Sequence, residues 1–186
     1  GERRAGTVGF PLPGVEARII ADGMEVAQGE IGVLHVRGAN VFQGYWQMPE
    51  KTAEELLPDG WFITGDMARM DEDGYITIVG REKDLVITGG FNVYPKEVES
   101  LIDDLPGVLE SAVIGVPHPD FGEAVVGVVV PTGEGTSAEA VKAALSGQLA
   151  KFKQPKEVIL LDALPRNTMG KVQKKALRED YAGLLA

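Results

Sequence analysis

A charged run, Arg81-Glu82-Lys83, separates two apolar strand patterns, and the chain is built differently on its two sides. Ahead of it lie short strands divided by turns. Residues 15–20 alternate apolar and polar and end at Ala21-Asp22-Gly23, the mark of a half-buried strand. Residues 31–37 form a second strand between Gly29 and Gly38. Residues 49–57 read as a short helix with Pro49 near its start, where a missing N–H costs nothing. Asp59-Gly60 is a turn, and 61–64 is extended. Asp71-Glu72-Asp73-Gly74 is a tight polar turn feeding a strand at 75–79. This order predicts a β-barrel or meander.

Behind the charged run, strands alternate with helices. Residues 85–88 form a short strand that ends at Gly89-Gly90. Residues 95–105 read as a helix with Pro95 in its first turn, and Val98, Leu101, Ile102 and Leu105 then share one face. Residues 108–116 and 123–130 are apolar strands. Thr136-Ser137-Ala138-Glu139 has capping-box spacing, so a helix is expected to run to about residue 150. A strand at 156–161 and a terminal helix at 174–185 complete the pattern. The fold class is α+β: a β-rich, barrel-like subdomain over residues 1–81, then a small α+β domain over 82–186. There is no internal repeat and no low-complexity segment.

Composition narrows the function. The 186 residues carry a formal net charge of −10, which argues against nucleic acid as the main partner. Residues 151–178 are locally basic within this acidic chain, which suits a small anionic ligand. With no cysteine, disulfides and thiolate metal sites are excluded and a reducing, cytoplasmic setting fits. His35 and His118 show no metal-binding spacing. No apolar run is long enough to span a bilayer, and none follows Gly1-Glu2-Arg3-Arg4 to make a signal peptide. The missing initiator Met suggests a fragment.

Three segments carry candidate chemistry. In Leu164-Pro165-Arg166-Asn167-Thr168-Met169-Gly170-Lys171, Gly170 is a flexible point, and Lys171 just after it is a compact cation able to enter and leave a site. Taken alone, the segment is also a solvated turn before a basic helix. In Trp61-Phe62-Ile63-Thr64-Gly65-Asp66, a carboxylate after a glycine turn suits the two hydroxyls of a ribose through charge-assisted hydrogen bonds; an Asp that stabilises a turn is the alternative. In 80–95, the planar fork of Arg81 suits a ribose or phosphate oxygen. Gly89-Gly90 would let backbone run close beside a narrow ligand, or simply form a β-turn. His118 and Glu123 read as a structural turn between strands. Trp46, Trp61 and the phenylalanines read as packing residues, and Lys153 as a solvated lysine within reach of a phosphate.

Taken in order, these segments resemble the adenylate-forming superfamily: acyl-CoA synthetases, luciferases and the adenylation domains of peptide synthetases. The resemblance begins with Gly29-Glu30-Ile31 through Gly44-Tyr45-Trp46, with Pro49 and Thr52. It continues through 61–66, 80–99, and Pro155-Lys156 to Lys171, with Leu177-Arg178. Among subfamilies, malonyl-CoA synthetases are similar over Arg4-Ala5-Gly6-Thr7-Val8-Gly9, Thr88 to Glu97, Gly115 to Glu123, Ala150 to Lys156 and Pro165 to Lys171. No residue in these stretches can be tied physically to a malonate carboxylate.

The resemblance implies a two-step ligation. A carboxylate attacks the α-phosphate of ATP to give an acyl-adenylate and pyrophosphate, and the thiol of CoA then displaces AMP. It implies that Asp66 holds the ribose hydroxyls and that Arg81 contacts the ribose and phosphate region. Lys171 would bridge carboxylate and phosphate oxygens during adenylation. Lys83 would be the hinge of a mobile C-terminal lid, though some members have Asp there. Gly89 and Gly90 would line the pantetheine channel. Mg²⁺ would accompany ATP, with its ligands mostly elsewhere. Regulation by a lysine acetyltransferase and deacetylase acting on Lys171 is a further implication.

The family's phosphate-binding loop and acyl pocket are missing from the chain. The expectation is therefore a piece of a longer ligase, inactive or nearly so without its N-terminal region. Other short-chain or fatty acyl-CoA synthetases, a domain loading a carrier protein, and a non-catalytic nucleotide- or partner-binding module are the competing readings.

Overall fold

The computed structural model describes residues 2–133 and 135–186. It divides into two compact units, Gly1–Lys83 and Asp84–Ala186.

The first unit is built on β1 (Val15–Ala21), β2 (Met24–Glu25), β3 (Gly32–Gly38), β4 (Phe62–Met70) and β5 (Ile76–Arg81). They form an antiparallel sheet in the order β2-β1-β3-β4-β5. Of the two forms expected, the open sheet is the one adopted. β2 has two residues, too few to pair onward and close a barrel. Alternation puts Ile19, Leu34, Ala68 and Ile76 on one face, where they form a buried cluster with Ala17, Val36 and Ile78 packed against it. Arg18 and His35 stand directly opposite each other on the other face. There the guanidinium groups of Arg18 and Arg37 lie 4.2 Å and 4.7 Å from the centroid of the Trp61 ring. The helix α1 (Pro49–Glu55) has Pro at its N-terminus as expected and ends two residues short of the expected stop.

The second unit contains β6 (Val86–Thr88), β7 (Phe91–Val93), α2 (Pro95–Asp103), β8 (Val108–His118), β9 (Gly122–Pro131), α3 (Ala138–Leu145), β10 (Glu157–Leu160) and α4 (Lys174–Asp180). The long β8–β9 hairpin is its spine, running in register from Val108↔Pro131 to His118↔Gly122 with one shift near Val108. β10 returns parallel to β9 after α3. Residues 124–130 are buried without interruption, the signature of a strand covered on both faces. On one face Val113, Val125 and Val129 meet Val98 and Ile102 of α2 and Val141 and Leu145 of α3. On the other, Ile114, Val116, Val126 and Val128 meet Leu164 and, from α4, Leu177. Each fully buried Val or Ile contributes about 1.5–3 kcal/mol before conformational entropy is counted.

The other three helices also end early, α2 at Asp103 against the expected 105. α3 stops at Leu145, where Ser146-Gly147 follows, and α4 stops at Asp180, ahead of Gly183. The helix cap also shifts by one residue. Ser137 caps α3 by accepting the Ala140 N–H at 3.1 Å. Thr136 instead donates to the carbonyl of Gly107 at 2.9 Å.

Candidate active-site elements

Asp66 and Arg81 are cross-strand partners on β4 and β5. Arg81 Nε lies 2.9 Å from Asp66 Oδ1, and Arg81 Nη1 donates to the Thr64 carbonyl at 3.0 Å. The Thr64 hydroxyl donates to the Leu34 carbonyl at 2.8 Å and accepts the Asp66 N–H at 3.0 Å. Gly65 has φ of 70°, and the β3–β4 register shifts within this stretch. The expected glycine turn is thus an irregularity inside one long strand, made possible by a residue that accepts positive φ. It presents a half-buried carboxylate, 26% exposed, beside a guanidinium that is 50% exposed. Asp66 Oδ2 has no partner among the described residues and is left to accept from a hydroxyl. Arg81 is therefore paired rather than merely solvated. Lys83 is exposed, in the short 3-10 turn Glu82–Asp84.

Lys171 lies in the second unit, on a small hairpin closed by an Arg166↔Val172 bridge. Its side chain is exposed and makes no ion pair among the described residues. The loop backbone is tied down. Asn167 N donates to the Lys171 carbonyl and Gly170 N to the Asn167 carbonyl, both at 2.9 Å. Asn167 Oδ1 accepts from Met169 N at 3.0 Å and from Lys171 N at 2.9 Å. Arg166 donates to the Gly170 carbonyl at 2.7 Å and pairs with Glu110 of β8. Gly170, expected as a flexible point, is a fixed turn residue with φ of 78° and both backbone polar groups bonded. The freedom of Lys171 lies in its side chain.

The helix that follows this loop is anchored from below. Lys174 Nζ lies 2.5 Å from Glu99 Oε1, and that buried carboxylate also accepts Val113 N at 2.8 Å. Arg178 pairs with Asp84 at 3.1 Å.

Gly89 and Gly90, with φ of 56° and 82°, are the two central residues of the β6–β7 hairpin turn. Two positive φ values in a two-residue loop require residues like glycine. Strand β7 is an element that the local sequence pattern does not predict. Beside the turn lies a cavity of about 180 Å³, lined by Gly89, Phe91, Phe121, Phe152 and Lys156 among others. The rings of Phe91 and Phe152 stack at 4.7 Å, and Lys156 Nζ sits 4.9 Å from the Phe121 centroid. Phenylalanines expected to serve as packing thus line an open cavity. Their spacing in the sequence, 30 residues apart or more, gave no local signal. Lys153 is tied to Glu97 at 2.7 Å instead of being free in solvent. His118 and Glu123 hold the strand ends: His118 Nδ1 accepts Asp120 N at 3.2 Å, and Glu123 accepts Ile87 N at 2.8 Å.

The described residues contain no group of three or more His, Asp or Glu able to hold a metal ion. No helix among them is long and apolar enough to cross a membrane.

The first unit thus carries a Thr-Gly-Asp carboxylate with its arginine, and the second a braced loop ending in Gly-Lys. The AMP-binding enzyme family matches residues 1–46, and its C-terminal domain family matches residues 97–171. The chain belongs to the adenylate-forming AMP-binding enzymes. Within that class it is similar to ATP-bound MatB from Rhodopseudomonas palustris. Identity is 59% and the TM-score 0.93, over 100% of this chain and 38% of that one. It is 42% identical to a long-chain-fatty-acid–CoA ligase of Salmonella typhimurium over 96% of this chain and 32% of that protein. It is 44% identical to an indoleacetate–CoA ligase of Aromatoleum aromaticum over 96% of this chain and 35% of that protein. The chain thus spans about a third of the length of the curated relatives it matches.

Proposed function

We propose that the chain supplies the ribose-binding carboxylate and the adenylation lysine of an AMP-forming carboxylate–CoA ligase whose acid is malonate. The observation that carries this reading is Lys171, an exposed cation, unpaired among the described residues, at the end of a braced loop in the region matched by the AMP-binding C-terminal family. In the first half-reaction a carboxylate oxygen bonds to the α-phosphorus of ATP. The bond from that phosphorus to the bridging oxygen breaks, and pyrophosphate leaves with the electron pair. Two anions must approach, and the ammonium of Lys171 offsets the charge that builds between them. Asp66 Oδ2 accepts from the ribose hydroxyls while Arg81 fixes the carboxylate's orientation and faces the adjoining oxygens. Magnesium would neutralise charge on the ATP phosphates, with its protein ligands mostly outside this chain.

In the second half-reaction the CoA sulfur, having given up its proton, bonds to the acyl carbon, and AMP leaves. The cavity beside Gly89 suits CoA: apolar rings for the pantetheine arm or the adenine, and Lys156 for a phosphate. Lys83, at the end of the first unit, is the proposed hinge. Malonate rests on the likeness to malonyl-CoA synthetases, supported by the similarity to MatB. A cysteine-free chain working with ATP and CoA suits the cytoplasm. The exposure of Lys171 also leaves it open to an acetyltransferase, and acetylation would remove its charge.

The test uses the longer ligase containing this region. Malonate-dependent pyrophosphate release should fall about 100- to 1000-fold in Lys171→Ala. Thioester formation from supplied acyl-adenylate should continue. Unchanged pyrophosphate release in that variant would remove Lys171 from catalysis. Release with other carboxylates but not malonate would keep the ligase reading and replace the substrate.

A further inference from the structure

We infer that Asn167 is the positioning residue for Lys171. The inference rests on the adenylation role proposed for that lysine and adds the device that sets it. One carboxamide oxygen takes two backbone N–H groups, Met169 at 3.0 Å and Lys171 at 2.9 Å. Its own backbone closes the same ring, its N–H donating to the Lys171 carbonyl and its carbonyl accepting from Gly170. Lys171 is therefore gripped at both its amide and its carbonyl by one residue four positions back. The side chain has no other hold in the unit, being exposed and unpaired among the described residues. The origin from which Nζ reaches is set by Asn167.

Chemistry explains why this residue type serves. A carbonyl oxygen with two lone pairs accepts two donors at once. A backbone carbonyl would need a different fold of the loop, and an aliphatic side chain would leave both amides unbonded. Arg166 supports the far side, donating to the Gly170 carbonyl and pairing with Glu110, which ties the loop to β8. Asn167 sits exposed, so it does not fill the core, and its replacement disturbs little beyond the loop. The consequence is kinetic. Moving a catalytic group by about 1 Å costs up to about 100-fold in rate.

The experiment separates the two half-reactions in the longer ligase. Asn167→Ala should slow pyrophosphate release about 10- to 100-fold and leave thioester formation from supplied acyl-adenylate within about twofold. In parallel, amide exchange at Lys171 in this chain should speed up in Asn167→Ala. It should return towards the parent rate in Asn167→Asp, whose carboxylate accepts the same two bonds. Equal loss in both half-reactions would make Asn167 a general folding residue and overturn the inference. So would an unchanged adenylation rate in Asn167→Ala alongside a severe loss in Lys171→Ala. A Lys171→Ala variant that adenylates normally would instead bring down the underlying reading.

Discussion

Lys171 shows how a residue's type and its setting divide the information. Its identity as a compact cation after a glycine was readable, because a Gly-Lys pair in an ordered set of motifs points to charge at a reacting phosphate. The rigidity of its loop was not, because it comes from Asn167 and Arg166 reaching across the turn and to a strand more than fifty residues away. His35 makes the same point for a residue outside the site. It is 7% exposed, and its Nδ1 is buried without a partner among the described residues. Burial pushes its pKa below the ordinary 6.5, Arg18 across the strand pair pushes the same way, and Asp59 opposes them. The folded state thus favours the neutral imidazole, while the unfolded chain takes up the proton first. Stability contributed by neutral His35 is complete above the unfolded value, near 6.5, and is lost as pH falls towards the lowered native value. The urea midpoint of the first unit should fall between about pH 8 and about pH 5.5, and His35→Gln should flatten that slope. An equally steep slope in the variant would assign the titration to another group.

At the level of elements, alternation and helical periodicity carried well. Val98 and Ile102 are buried on α2 as their spacing required, and the apolar run expected as a strand at 123–130 is one, with 124–130 buried throughout. What local pattern missed depended on partners distant in sequence. β7 is three residues long and exists by pairing with β6 through Gly89-Gly90. The phenylalanine cavity forms only when segments near 91, 121 and 152 meet. The cap of α3 was misplaced by one residue, since Thr136 is drawn off to Gly107 and Ser137 takes its place. Ser137→Ala should therefore cost about 1 kcal/mol, read from urea unfolding of the second unit, and Ser137→Asp should recover most of it. Glu139→Ala should stay within about 0.5 kcal/mol. A larger loss there than in Ser137→Ala would restore the capping box centred on Thr136.

At the scale of the molecule, each of the two units has its own core, and the second has two. Val113, Val125 and Val129 close one against α2 and α3, while Ile114, Val126 and Val128 close the other against Leu164 and Leu177. A sheet covered on both faces by its own helices meets the requirement for a domain that folds alone. Residues 84–186 expressed by themselves should then give the far-UV circular dichroism of a folded α+β domain and a single cooperative urea transition. The first residue matters to that experiment. Asp84 pairs with Arg178 at 3.1 Å, with side chains only 15% and 28% exposed. It ties the start of the unit to α4, the helix that directly follows the Lys171 loop. A version starting at Val86 lacks this carboxylate and leaves a half-buried guanidinium without its partner. It should fold with an unfolding free energy lower by about 1 kcal/mol, read from the urea transition. Arg178→Leu in the shorter version should recover part of the loss, because removing the stranded charge removes its desolvation cost. A broad, non-cooperative transition in the longer version would show that the second unit depends on residues before Asp84 for its stability.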